Sequence, residues 1–574
     1  MIQSQNKVTD NTHEMSFHDL FSQSTQISIP LFQREYVWTE KQLNRLKEEI
    51  DIIQSGEESN RFLGAVIAVR RNANPAEPQP YEIVDGQQRL STLYLFVLAA
   101  ACVAAKNKQS DYAKGIINTN LIIDWWQNGT NTKLIPSFAD RNQFCVAFQQ
   151  LINSGDLSDW LGAKAKLPDK SGDENGRYIN QFNRIKKFLQ ERFTEHGIEH
   201  LKEIVTITQT KLTFVFILLK DPSTATTVFE GLNDPGIPIG IGDLVRNEVF
   251  SKISNDPPKA HAVHRDVWLP FRKKLGIHFD KYFFPYAMIQ ESSINNADLF
   301  RGLRKIWGQT ENPEEIIKKL EDYSVPYLAI CAGKYPDNYS KLVKAELDKL
   351  VRSNSPTSIY PFTIRLLKEY ELGNVTEQNT VDCLAVLESF LVRRAISGIE
   401  PTGLLATFRT AWGVVNGKPT KESLSEVIRK RNTVEWPDDE RLSRAIQSRN
   451  IYSSHIAEYV LLEYERSLGS DTPENKFWIE HVMPQKLSKE WLKVISTEDH
   501  QTIVHTWGNL IPLTKEMNQE VSQAEFSKKR KQFEKHSVFA SARTLANDFE
   551  KWDKDSIINR SKLISEWAVK RWAK

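Results

Sequence analysis

Cysteine is scarce in this chain of 574 residues. Cys102, Cys145, Cys331 and Cys383 stand far apart and form no CxxC pair, which excludes a disulfide framework and a cysteine zinc site as organising devices. An excess of charge of either sign is also lacking. Seventy-five Lys and Arg oppose 73 Asp and Glu, for a net charge of +2 and a pI near 8.1. Any contact with nucleic acid must therefore come from local patches. No apolar run reaches membrane-spanning length, and the longest, 93–105, reads as a buried helix. The opening MIQSQNKVTDNTHEM has no apolar signal core. There is no internal repeat and no low-complexity tract. These absences predict a soluble, cytoplasmic protein with no membrane partner, and the length predicts roughly three to four domains.

What is present is clear punctuation of secondary structure. Residues 27–33 read as extended. Thr39 opens a helix through the capping pattern Thr39-x-x-Gln42, with Leu43, Leu46, Ile50 and Ile53 on one face and Gly56 as the stop. Residues 62–69 and 81–85 read as strands around a Pro/Asn-rich loop at 72–80, and 212–219 as a further buried strand. Gly86-Gln87-Gln88-Arg89 is the turn into the apolar helix. Phe182, Ile185, Phe188 and Leu189 form a helical stripe, and 256–470 is mostly amphipathic helix. Val392-Arg393-Arg394 reads as packing. Residues 436–441 and 468–475 are the expected places where the last domain separates.

Two groups of strings carry chemistry. The first comprises Ile29-Pro30-Leu31-Phe32-Gln33-Arg34-Glu35-Tyr36-Val37-Trp38, Phe62-Leu63-Gly64, Asp85-Gly86-Gln87-Gln88-Arg89-Leu90-Ser91-Thr92-Leu93 and Phe229-Glu230-Gly231-Leu232-Asn233. A strand ending at Asp85, a glycine turn and a helix whose first amides lack carbonyl partners can cradle phosphate. Arg89 could fork onto phosphate oxygens, and Asp85 could hold magnesium or a ribose hydroxyl. The same residues also fit a capped strand–helix turn with a surface ion pair. The second group comprises Trp478-Ile479-Glu480-His481-Val482-Met483-Pro484-Gln485, Trp507-Gly508-Asn509-Leu510-Ile511-Pro512-Leu513 and Asn518. A capping pattern Ser522-x-x-Glu525 follows, then Phe526 and the run Lys528-Lys529-Arg530-Lys531. Taken singly, Glu480-His481 fits ordinary surface sequence and the basic run fits a solvated face. His261-x-x-His264 has metal-like spacing but no third ligand in register, and reads as a solvated pair. His505 reads as structural.

In order and together, these strings resemble GmrSD-type proteins. The first group, over about 15–250, is similar to their N-terminal domain, whose core is like the ParB/sulfiredoxin fold and which binds and hydrolyses nucleoside triphosphate with a divalent metal. The resemblance implies Arg34, Asp85, Gly86, Gln87, Gln88, Arg89 and Thr92 as nucleotide or phosphate ligands. The second group, over about 420–574, is similar to the HNH (ββα-metal) nuclease domain fused to it, and around the metal to the HNH domain of RNA-guided DNA nucleases. That resemblance implies His481 and Asn509 as the catalytic residues, the first as general base and the second fixing the hairpin that presents it. Glu480 and Asn518 become metal ligands, Phe526 a core residue, and Lys528, Lys529, Arg530 and Lys531 contacts to the DNA backbone. Oxygen-only ligation, where colicin-type sites use histidines, favours Mg2+ or Mn2+ over zinc.

The expected fold is α+β and multidomain: a ParB/sulfiredoxin-like α/β nucleotide-binding domain with a helical extension at 1–255, a helical connecting domain at 256–420, and an HNH nuclease domain within helices at 421–574. The expected function is a nucleotide-regulated, divalent-metal-dependent DNA endonuclease of type IV antiviral defence, acting on modified phage DNA and using GTP, ATP or another nucleoside triphosphate, with a homo-oligomer as one partner state. Two alternatives stand beside it. One is an abortive-infection switch whose HNH domain cuts host nucleic acid. The other is a ParB-like nucleic-acid-binding protein with a vestigial nuclease.

Overall fold

The computed structural model describes all residues except 1–8, 24, 31–32, 34, 71–78, 126–128, 163, 220–239, 254–255, 309, 311, 432 and 470–476. Arg34, the string 229–233, most of the loop at 72–80 and most of the segment 468–475 lie outside the described residues. The chain divides into two compact units, Met1–Pro270 with Gln309–Ile316, and Phe271–Gly308 with Ile317–Lys574. Residues 317–420 thus share a unit with 421–574.

The first unit is built on a six-stranded mixed sheet. Its strands are β1 (Thr9–Ser16), β2 (Thr25–Ser28), β3 (Arg61–Arg70), β4 (Gln79–Asp85), β5 (Leu134–Ile135) and β6 (Leu212–Leu219), in the order β1-β6-β3-β4-β2-β5. β3 runs parallel to β6 and antiparallel to β4, so the end of β4 at Asp85 lies opposite Ile67. Three helices cover the sheet: α1 (Glu40–Ser55), α2 (Gln87–Lys106) and α3 (Arg177–Thr210). α1 starts at a capping box between Thr39 and Gln42, buries Leu43, Leu46, Ile50 and Ile53, and stops at Gly56 in the left-handed conformation. α2 is long and apolar enough to cross a membrane, yet 90–105 are buried in the core. Its continuous apolar surface has neighbours on every side, as an internal helix requires.

The second unit is helical around a two-stranded antiparallel hairpin. The parts that position the site are α4 (Glu377–Ile396), α5 (Ala457–Ser467), β7 (Trp478–His481), β8 (Leu510–Leu513), α6 (Lys515–Val521), α7 (Phe526–His536) and α8 (Lys554–Arg571). Val392 and Ile396 of α4, Val460 of α5 and Ile564 of α8 pack with Trp507 and Leu510 in one apolar cluster, so the hairpin leans on the helices. Arg393 is fully buried in this seam, where it donates to Pro437 O at 3.1 Å, to Asp439 Oδ1 at 2.7 Å and to Trp572 O. The pattern Ser522-x-x-Glu525 forms no capping box. Ser522 ends α6 with φ of 34°, and Glu525 precedes α7 with no side-chain cap. Ser522 is the C-cap of α6 and Glu525 the N-cap of α7, so the two residues flank different helix ends and cannot cap one helix together.

Candidate functional site

Pairing in the hairpin sets Glu480 opposite Ile511 and His481 opposite Leu510. Adjacent strand residues point to opposite faces, and their partners differ accordingly. Glu480 meets α7, where Lys529 Nζ donates to its Oε1 at 2.5 Å and to His481 O at 3.2 Å. Lys529 is 0% exposed and Glu480 8%. Burial pushes the carboxyl above its ordinary value and the ammonium below its own, each opposed by the other's charge.

On the other face, His481 Nε2 lies 3.0 Å from His505 Nδ1, and Gln485 Nε2 lies 3.3 Å from His481 Nδ1. Tyr452 stands edge-on to His481 with ring centres 4.4 Å apart, and stacks nearly parallel on His505. Burial, then the nearby His505, Lys529 and His500, lower the His481 pKa to about 3. The imidazole is therefore neutral near neutral pH, with both ring nitrogens in hydrogen-bond contact.

Asn509 anchors the frame. It is 0% exposed and uses its whole amide. Oδ1 accepts from Met483 N at 2.8 Å and Trp552 Nε1 at 3.0 Å, while Nδ2 donates to Met483 O and Val504 O, both at 2.9 Å. Gly508 beside it admits α8 closely, since a Cβ there would lie 2.1 Å from Ser561 Oγ and 2.5 Å from Ile557 O. Arg560 of α8 then donates to Gly508 O at 2.7 Å and Leu510 O at 3.0 Å. Asn518 is half-buried on α6, which packs against β7. Phe526 is buried in the core.

Two of the residues expected on DNA sit elsewhere. Lys529 lies inside with Phe526 and Phe533, three and four residues away on one helical face, and is bound to Glu480. Arg530 donates its Nε to Ala546 O at 2.6 Å. Lys528 and Lys531 are exposed. Among the described residues no three of His, Cys, Asp or Glu gather as a metal cluster. Lys529 occupies Oε1 of Glu480, so the oxygens that could hold a cation are Glu480 Oε2 and the Asn518 amide oxygen.

The N-terminal group also comes together. Gly86 takes φ of 89°, and a Cβ on it would lie 2.8 Å from Val66 Cγ2, so the turn from β4 into α2 requires glycine on two counts. Arg89 donates to Ala65 O and lies 4.0 Å from Asp85. Gln87 is buried, and its Oε1 finds no hydrogen-bond partner among the described residues. Gln88 and Thr92, expected on nucleotide, are committed to the protein. Gln88 accepts from Val37 N at 2.9 Å and donates to Glu35 O at 3.2 Å. Thr92 is 0% exposed, donates to Gln88 O and meets Tyr36 OH at 2.6 Å. Asp140, which no local motif marks, accepts from Tyr36 N at 2.9 Å, and burial raises its pKa to about 7. Tyr452 and Arg560 are likewise marked by no local motif, and His505, read from sequence as structural, lies 3.0 Å from His481 across 24 residues of chain.

Two protein-family models match the chain, one over each group of strings. Residues 17–250 match the model described as GmrSD restriction endonuclease, N-terminal domain, and 436–567 match GmrSD restriction endonucleases, C-terminal domain. A chain carrying both domains is a restriction-type nuclease, with DNA as its substrate. This chain belongs to the GmrSD restriction endonuclease family. A search of curated proteins finds no match.

Proposed function

We infer that this chain is a divalent-metal-dependent DNA endonuclease with an HNH-type centre at β7, β8 and α6, controlled by a nucleotide at the β4–α2 turn and directed at modified phage DNA. The observation that supports it most is the buried, neutral His481 at the end of a strand whose neighbouring residue is a carboxylate. In the reaction, a water oxygen attacks phosphorus, its proton passes to the His481 imidazole, and the bond to the departing 3′-oxygen breaks. A DNA phosphate beside His481 would raise the imidazole pKa from about 3 toward the range where a base is effective. Glu480 and Asn518 would hold the cation, which when bound supplies charge to the phosphate and the leaving oxygen. Lys528 and Lys531 face solvent and suit the DNA backbone.

At the N-terminal site, the first-turn amides of α2 and Arg89 suit phosphate. The unpartnered Gln87 acceptor and Asp85 suit a ribose hydroxyl or the water shell of a cation. A nucleotide bound there supplies the energy or the signal that gates cleavage.

The test is a cleavage panel: DNA from phages with different base modifications, unmodified plasmid and total RNA, each with and without Mg2+ or Mn2+ and with and without nucleoside triphosphate. Preferential, metal-dependent cutting of a modified DNA supports the reading. Cutting of RNA or host DNA favours a switch that attacks the cell, and no cutting of any substrate favours a binding protein.

A further inference from the structure

The face of β7 away from Lys529 carries an ordered chain of rings. Gln485 Nε2 is an amide nitrogen, so at 3.3 Å it can only donate to His481 Nδ1. That leaves the proton of the neutral His481 ring on Nε2, which points at His505 Nδ1 3.0 Å away. His505 Nδ1 must then be the acceptor, with its own proton on Nε2. We propose that His505 is the positioning residue of the nuclease centre: its Nδ1 accepts the His481 Nε2–H and so presents the His481 Nδ1 lone pair to the attacking water.

The surroundings fit this role. Tyr452 stacks on His505 with ring centres 5.5 Å apart and planes 13° apart, while its edge meets His481. The turn bearing Tyr452 is tied to the same histidine, since Ile451 N donates to His505 O at 3.0 Å. The Tyr452 ring thus stacks on His505, and the backbone bond holds the Tyr452 turn beside the pair. The contact at Nδ1 is the longer of the two, so water can take the place of Gln485 as the donor to Nδ1 while the His481 Nε2–H to His505 Nδ1 bond persists. Tyr452 keeps 38% of its surface exposed, so the ring chain reaches the protein surface at Tyr452 while His481 itself is buried.

The inference rests on the nuclease reading and is tested with it. Single-turnover cleavage and half-saturating DNA concentration are measured on the full-length chain with Mn2+, using a DNA that the wild type cuts. His481→Ala, His505→Phe and His505→Asn are compared. His505→Phe keeps a ring on Tyr452 and removes the acceptor, so its cleavage rate falls on the order of 10²-fold with DNA saturation unchanged. His505→Asn places an amide oxygen near the Nδ1 position and recovers at least about tenfold of that loss. His505→Leu carries the same prediction as Phe should the larger ring prevent folding. If His481→Ala is dead while His505→Phe cleaves within about threefold of wild type, or if Asn is as poor as Phe, the positioning role is overturned and the nuclease reading stands. If His481→Ala cleaves normally, both fall.

Discussion

Replacing Lys529 by Met tests how the centre is held together. In the native chain Lys529 Nζ sits 2.5 Å from Glu480 Oε1, with the two side chains 0% and 10% exposed. At that separation and an effective dielectric constant of about 20, the gross attraction is about 7 kcal/mol, most of it offset by the cost of taking both ions out of water. Methionine fills similar volume but leaves the Glu480 carboxylate buried without its cation. It also removes the bond to His481 O at 3.2 Å. Breaking a buried pair from one side costs about 3–5 kcal/mol. The assay is urea unfolding of the full-length chain, following the transition of the unit that carries the hairpin. Lys529→Met should lose about 3–5 kcal/mol, and Glu480→Leu combined with Lys529→Met should recover more than half of that, because no unpaired charge remains. A single variant within about 1 kcal/mol of wild type, or a double variant no better than the single, would refute the buried-pair account.

Three further expectations can be checked by the same means. Asn509→Asp should destabilise the unit by about 2–4 kcal/mol even though it keeps the size of the side chain, because its second oxygen would face the carbonyls of Met483 and Val504; unchanged unfolding would contradict the hydrogen-bond frame. Gly86→Ala should cost about 1–3 kcal/mol in the first unit, through its φ of 89° and the approach to Val66, and a melting temperature equal to wild type would remove that argument. His481 has a folded pKa of about 3, below the ordinary 6.5, so the unfolded chain binds the extra proton between these values. Its contribution is complete above about pH 6.5 and is lost as pH falls toward 3, about 3 kcal/mol by pH 4, so His481→Gln should flatten the acid limb of stability. Parallel pH profiles for wild type and variant would contradict the burial of a neutral imidazole.

Local physics carried much of the fold into the sequence. The Thr39/Gln42 box with Gly56 bounds α1, the apolar run marks α2, and continuous apolar residues mark β6. The turn at Gly86 was legible because a strand, a glycine and a helix follow within a few residues. Lys529 shows a signal that a basic run conceals: positions 526, 529 and 533 share one helical face, and that face is internal. Gln88 and Thr92 carry polar side chains suited to a ligand, yet their partners lie in the segment 35–37, some fifty residues earlier, and no local pattern records them. Tyr452 and His505 reach His481 through tertiary closure alone. The ring chain beside His481 arises only in the folded unit.

The proposed role of His481 as the base of a metal-dependent DNA nuclease is open to direct measurement. Its most direct test is single-turnover cleavage of a susceptible phage DNA by the full-length chain with Mg2+ or Mn2+, comparing wild type with His481→Ala. Wild type should cut in a metal-dependent way and the variant should lose about 10²–10⁴-fold, with the fold and DNA binding retained. Cleavage by His481→Ala at a rate near that of wild type would contradict that role.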